Sequence, residues 1–178
     1  MKQTTITEAL AELKVIDKRI ATKRGAITQY VVRQEMVKDP LEKDGGSVTY
    51  IERERQSIRD LEDQKVAIRR AIRAANVATE VTVIGVTRSI SDWLVWRRDV
   101  SPNALGFIKS ISDNLNRLRQ DQLKKGVKVT TPDQATSEDL LVNINEQKLA
   151  EEIEQHEATL GTLDGLLSLK NATITVKY

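Results

Sequence analysis

Apolar residues recur at helical spacing in four long runs and alternate in four short ones. In the first run Ile6, Leu10, Leu13, Ile16, Ile20, Ile27 and Val31 step by three, four or seven, which places them on one helical face. Thr5 with Glu8 three residues on is a capping box at its start. Gly25 weakens this run without ending it, and "KDPLEKDGG" breaks it as a loop. Thr49 with Glu52 is a second capping box, followed by a stripe of Ile51, Ile58, Leu61, Ile68, Ile72 and Ala75. Each run of roughly 25 to 30 residues makes a helix of about 40 Å. Two such helices joined by a short loop fold back as an antiparallel hairpin.

Ser89 with Asp92 caps a short helix, "ISDWLVWRRDV". Ser101 followed by Pro102 reads as a restart, a cap residue with proline at the first helical position. From there Leu105, Ile108, Ile111, Leu115, Leu118 and Gln122 carry the pattern to Gly126. Asn143 or Asn145 caps the last helix, whose seam is Leu149, Ile153, His156, Leu160, Leu163 and Leu167. Its alternating steps of four and three are the repeat of a coiled coil.

The alternating stretches are "EVTVIG", with Val81 and Val83 on one face; "VKVTT", with Val127 and Val129; "LLVNIN", with Leu140, Val142 and Ile144; and the closing Ala172, Ile174, Val176, Tyr178. "NVATEVTV" and "NATITVKY" share one shape, a helical run passing through Asn and Thr into β-branched residues. That echo predicts two helical hairpins whose trailing strands pair with each other. Strands this short form one small sheet or join a neighbouring subunit.

The expected fold class is mainly α: an elongated antiparallel helical bundle of coiled-coil-like hairpins with a small β-sheet of short strands at one end. Residues 1–178 read as a single domain. A first hairpin covers 5–36 and 49–76, with a strand at 79–84 and helical segments at 90–125. Short strands and a loop occupy 127–145, a helix 146–170 and a terminal strand 172–178.

Composition narrows the chemistry. Lys and Arg number 28 against 26 Asp and Glu, so no global field drives the chain onto nucleic acid or an anionic membrane. Charged residues are 30% and aromatics 3%, a balance typical of amphipathic helices rather than of an aromatic-lined pocket. The absence of cysteine removes disulfides, thiolate metal sites and Cys nucleophiles. No apolar run approaches about 18 residues, and "MKQTTITEALAELK" lacks the apolar core of a signal peptide. The expected location is cytoplasmic or virion-associated.

His156, the single histidine, stands where the seam calls for Leu. One reading is a pH-sensitive register element; the plainer one, a hydrogen-bonded or edge-of-core histidine, is preferred. Trp93 and Trp96, followed by Arg97 and Arg98, could anchor to a membrane or stack on bases, but packing or a subunit interface is the simpler role. "KVAIRRAIRAA" concentrates Lys65, Arg69, Arg70 and Arg73 without an acid. The last helix carries Glu146, Glu151, Glu152, Glu154, Glu157 and Asp164 against Lys148 and Lys170. Alignment of these basic and acidic helices, within or between subunits, is preferred to nucleic-acid contact. No phosphate loop, nucleophile elbow or metal-ligand spacing appears. The expectation is therefore no enzyme, no cofactor and no metal.

Four segments carry a resemblance: "TEALAELKVIDKRI" (Thr7 to Ile20), "AIRRAIRAANVAT" (Ala67 to Thr79), "ISDWLVWRRDV" (Ile90 to Val100) and "LDGLLSLKNATITV" (Leu163 to Val176). In this order they resemble the septicolysin-like family of small helical proteins of bacteria and phages. The resemblance implies a helical hairpin scaffold with short strands after the helix ends, and oligomer formation. It supplies no catalytic residues, and a cytolytic activity is not carried over. "RRDVSPNALGF" and the strands at 127–145 depart from the pattern.

The function expected is a non-catalytic structural or assembly protein, a helical homo-oligomer within a larger assembly such as a phage head or tail. Its interface would use Val81, Val83, Ile174, Val176, Tyr178, Leu149, Ile153, His156, Leu160, Leu163, Trp93 and Trp96. A nucleic-acid-binding accessory and a membrane-active cytolysin-like protein are the alternatives.

Overall fold

The computed structural model describes residues 2–132, 136 and 139–178. The fold is mainly α, with short strands paired in two-stranded sheets. The chain, read above as a single domain, divides into two compact units, residues 1–79 with 168–178, and residues 80–167.

In the first unit, β1 (Gln3–Thr5) leads into α1 (Ile6–Thr28), and α2 spans Gly46–Ala78. The Thr5–Glu8 capping box forms as the sequence predicts, the Glu8 amide donating to Thr5 Oγ1 at 3.2 Å and the Thr5 amide to Glu8 Oε2 at 2.8 Å. The two helices make the expected antiparallel hairpin. Its core joins Ile6, Ala9, Leu13, Ile16 and Ile20 to Ile58, Ile68 and Val176. Lys23–Glu54, Arg24–Glu62 and Lys65–Asp17 ion pairs flank it.

α1 ends at Thr28, eight residues before the expected boundary. Thr28, Val31 and Val32 are β-branched and propagate a helix poorly, and the Gln29 amide already tightens back to the Ala26 carbonyl at 3.3 Å. Conversely, α2 starts at Gly46 rather than at Thr49. Its first turn is capped from the loop: Asp39 accepts from the Ser47 amide at 2.8 Å and the Ser47 hydroxyl at 2.6 Å. Gly45 and Gly46, at φ 92° and 88°, make the left-handed turn that brings Asp39 there.

The terminal strand β6 (Thr175–Lys177) is shorter than expected because α5 (Glu146–Thr173) runs three residues further. It pairs antiparallel with β1, Thr4 opposite Val176. The echoed strands therefore do not pair with each other. The sequence argument missed β1, whose "QTT" carries no apolar alternation.

In the second unit, β2 (Glu80–Val83) turns back on β3 (Val86–Ser89) as a hairpin. Only Ile84 and Gly85 form the connection, at φ 46° and 79°. Positive φ at both positions is the signature of a type I′ turn. α3 (Ile90–Val95), capped by Ser89, continues through a π-helical turn (Trp96–Val100) into α4 (Ser101–Leu123) without a break. The expected restart at Ser101 does not occur. Pro102 lacks an amide hydrogen and clashes with the turn before it, and the chain answers by widening that turn, the Ser101 amide donating to the Trp96 carbonyl five residues back. α5 starts with Asn145 accepting from the Lys148 amide at 3.1 Å, and its residues from Ser168 onward belong to the first unit. Two-residue strands β4 (Val129–Thr130) and β5 (Leu140–Leu141) pair in parallel.

Candidate functional site

The site with the richest chemistry is a cleft of about 220 Å³ in the second unit, between the β2–β3 hairpin, the start of the π-turn and α5. Trp93 forms one wall. It is 2% exposed, and its indole N–H donates to the Val81 carbonyl at 2.9 Å. That bond satisfies the one polar group of a buried indole and ties α3 to the hairpin. Trp96, three residues on, lies edge-to-face against it with ring centroids 5.4 Å apart. His156 of α5 stacks on Trp96 with its ring parallel, 5.8 Å between centroids.

Two residues that the sequence argument passed over complete the cleft. Arg88 of β3 places its guanidinium carbon 5.0 Å from the Trp93 ring centroid, within cation–π range. Among the described residues it has no carboxylate partner. Ile84 stands on the rim at the hairpin turn. A β-branched residue at positive φ is a true outlier, at a cost of about 1–2 kcal/mol. The signal for Ile84 was the "VIGV" of the hairpin, a valine on each side of Ile-Gly, which reads as a strand end unless the following "VTRS" is paired with it.

Three local costs thus meet here. Ile84 is strained, a π-turn begins at Trp96, and the His156 Nδ1 is buried with no hydrogen-bond partner among the described residues. Unsatisfied buried groups and π-turns both concentrate at functional sites. Two other hollows among the described residues are chemically quieter. One of about 280 Å³ is lined by Asp17, Arg24, Glu62 and Lys65, all already ion-paired. A shallow one of about 560 Å³ has Glu146 as its charged lining residue, which Arg119 engages.

The structure uses many of the expected interface residues internally. Val81, Val83, Trp93, Leu163 and Val176 are buried, and Ile174 and Tyr178 pack on the first unit's core. The Tyr178 hydroxyl donates to Glu12 Oε2 at 2.9 Å. Burial and that hydrogen bond raise the phenol above its ordinary range, while bonds from Lys2 and Tyr178 hold Glu12 below the usual carboxylate range. Leu149, Ile153, His156 and Leu160 of the seam, and Trp96, remain half-buried.

Of the basic cluster, Lys65 pairs with Asp17, whereas Arg69, Arg70 and Arg73 are exposed and form no ion pair among the described residues. The acids of α5 instead meet Arg97, Lys109 and Arg119, through Asp164 at 3.0 Å, Glu157 at 3.9 Å and Glu146. Among the described residues no ion pair joins the basic stretch to the acidic helix, and Glu146, Glu157 and Asp164 pair instead with the helical segment antiparallel to α5. Among the described residues, no group of three or more His, Asp or Glu could hold a metal ion, and no helix is long and apolar enough to cross a membrane. Compared with family models, with curated proteins and with solved structures, the chain matches none.

Proposed function

We propose that the chain is a non-catalytic structural protein that assembles with copies of itself, as a building block of a larger particle. The observation that carries this reading is an uncovered apolar stripe on α4. Phe107 is 67% exposed and Leu118 54%, and eleven residues apart they lie within about 20° of one another around the helix. Half-buried Ile111 sits between them. With Ile111 they put apolar surface on one helical face, of the kind that a contiguous interaction patch requires. The half-covered Leu149, Ile153 and Leu160 of α5 support the same reading. Its occupant is a second copy, as for most soluble oligomers. The more specific form, an accessory subunit of a phage head or tail, is supported by the four segments that resemble the septicolysin-like family.

Light scattering on the purified chain tests it. A multimer is expected, and the double substitution Phe107→Ser and Leu118→Ser should reduce it to a monomer of unchanged circular dichroism. A wild-type monomer at all concentrations ends the reading.

A nucleic-acid-binding role is favoured by one observation, the exposed and unpaired Arg69, Arg70 and Arg73. It predicts DNA or RNA retention that falls steeply with salt and disappears when the three are neutralised. The membrane-active alternative is left with half-buried Trp96 as its anchor, Trp93 being 2% exposed.

A further inference from the structure

We propose that the cleft between the β2–β3 hairpin and α5 binds a small carboxylic acid carrying one aromatic ring system. The inference stands independently of the assembly role, and rests on size, wall chemistry and charge.

Size is compatible. A cavity of about 150 Å³ accommodates benzene, so the 220 Å³ here, in a cleft open to solvent, suits a bicyclic ring with a short arm. The wall chemistry selects a ring. Val83, Ile84 and Val86 present branched aliphatic surface, and both tryptophans of the protein line the same hollow. Trp93 is already covered, at 2% exposure, so the aromatic surface on offer is that of half-buried Trp96, against which a flat apolar ligand can bury.

Charge selects the acid. Among the described residues no Asp or Glu lines the cleft, and Arg88 is its one permanently charged residue. Its guanidinium carbon lies 5.0 Å from the Trp93 ring centroid, and the group has no carboxylate partner among the described residues, which leaves N–H groups of the kind that grip a carboxylate bidentately. A cationic ligand would meet like charge. A phosphate would find a single permanent cation among the described lining residues.

The local costs fit this assignment. Asn before Gly85 would relax the hairpin turn, but would replace an apolar rim with an amide. The chain keeps Ile84 there in spite of the strain. The π-turn that begins at Trp96 shifts the helical register where that indole joins the cleft. The Thr159 hydroxyl is already spent on the Gln155 carbonyl at 2.6 Å, which leaves Arg88 as the chief anchoring group.

Isotope-labelled full-length protein gives two indole N–H signals, one for each tryptophan, and both report on the cleft. Titration with indole-3-acetate should shift both saturably, with a dissociation constant of about 0.1–1 mM, the range expected for so few atoms. Indole alone and acetate alone should each bind at least about tenfold more weakly. Arg88→Gln should weaken indole-3-acetate about tenfold or more, and Arg88→Lys, which retains the charge without the fork, should fall between. The spectrum away from the cleft shows that each variant is folded. No saturation by about 10 mM, equal affinity for indole and indole-3-acetate, or an indifferent Arg88→Gln would overturn the proposal. So would tighter binding of N-acetyl-glycyl-phenylalanine, which would assign the cleft to a peptide terminus instead of a free acid.

Discussion

Replacing Trp93 by Phe separates the two tryptophans by burial and hydrogen bonding alone. The change removes the donor that meets the Val81 carbonyl at 2.9 Å; because Val81 stands opposite Arg88 in the hairpin ladder, that carbonyl keeps a partner and the lost bond is worth about 0.5–1.5 kcal/mol. It also empties on the order of 40 Å³ beside a 2%-exposed side chain, worth about 1 kcal/mol at the usual cavity penalty. Together these give a loss of about 1.5–2.5 kcal/mol. Trp96 is half-buried and its indole N–H makes no hydrogen bond among the described residues, so Trp96→Phe should cost about 1 kcal/mol or less. Guanidinium unfolding followed by tryptophan fluorescence is the suitable assay. Both indoles lie in residues 80–167, so the signal reports that unit even if the other unfolds separately. A Trp93→Phe variant within about 0.5 kcal/mol of wild type, or a Trp96→Phe variant that costs more than Trp93→Phe, would refute the assignment of Trp93 as the tie between α3 and the hairpin.

Ile84→Asn should leave the second unit as stable or stabilise it by up to about 1 kcal/mol, since relief of about 1–2 kcal/mol of strain outweighs about 1 kcal/mol of partial burial; a clear loss in denaturant midpoint would mean that the turn is not strained. Asp39 sits below the usual carboxylate range because the Ser47 hydroxyl, the Ser47 amide and the Leu41 amide all donate to it. Its folded-state pKa is depressed, so its contribution is complete above the unfolded value and is lost as pH falls through the folded one. Asp39→Asn should therefore weaken amide protection at the start of α2 at neutral pH, with the gap to wild type closing in acid; a gap independent of pH contradicts this. Truncation before Thr175 should expose the core beneath Val176 and lower the melting temperature of the first unit, and a multimer of unchanged stoichiometry is expected, because β6 pairs with β1 of its own chain.

What was legible in the sequence was local and periodic. The caps at Thr5, Ser89 and Asn145 each need only a side-chain oxygen and a free amide two or three residues on, so their spacing alone identifies them. The seam of α5 follows from alternating steps of three and four. The misreadings share a different cause, competition between a local signal and a partner distant in sequence. Thr49–Glu52 is a sound capping box, but Asp39 reaches the helix three residues earlier. Ser101–Pro102 is a sound restart, but a widened turn costs the chain less than breaking a helix whose far side α5 already holds through Arg97–Asp164 and Arg119–Glu146. The two echoed strands found nearer partners, β3 across a two-residue turn and β1 at the other chain end. Arg88 carried no signal at all. An arginine on a short strand acquires meaning only when a tryptophan five residues later folds beneath it.

The costs gathered around that tryptophan bear on how the site came to be where it is. A π-turn, a strained β-branched turn residue and an orphaned imidazole nitrogen would each be a small defect if scattered. In the first unit the positive-φ residues are both glycines, and its one buried side-chain atom without a partner among the described residues is Asn76 Oδ1. In the second unit Ser101 Oγ is likewise orphaned away from the cleft, but the strained turn, the π-turn and the His156 nitrogen fall within one hollow, on three different elements. Strain of this kind persists only where the surroundings over-determine it, and here the indole N–H bond to Val81 and the Arg88 contact, both made by Trp93, hold the hairpin and α3 against each other. Relaxing any one element, by Ile84→Asn or by replacing Pro102 with Ala, should therefore raise stability while loosening the cleft. If both variants gain stability with the tryptophan signals and ring contacts unchanged, the coincidence of costs has no functional meaning and the site must be sought elsewhere.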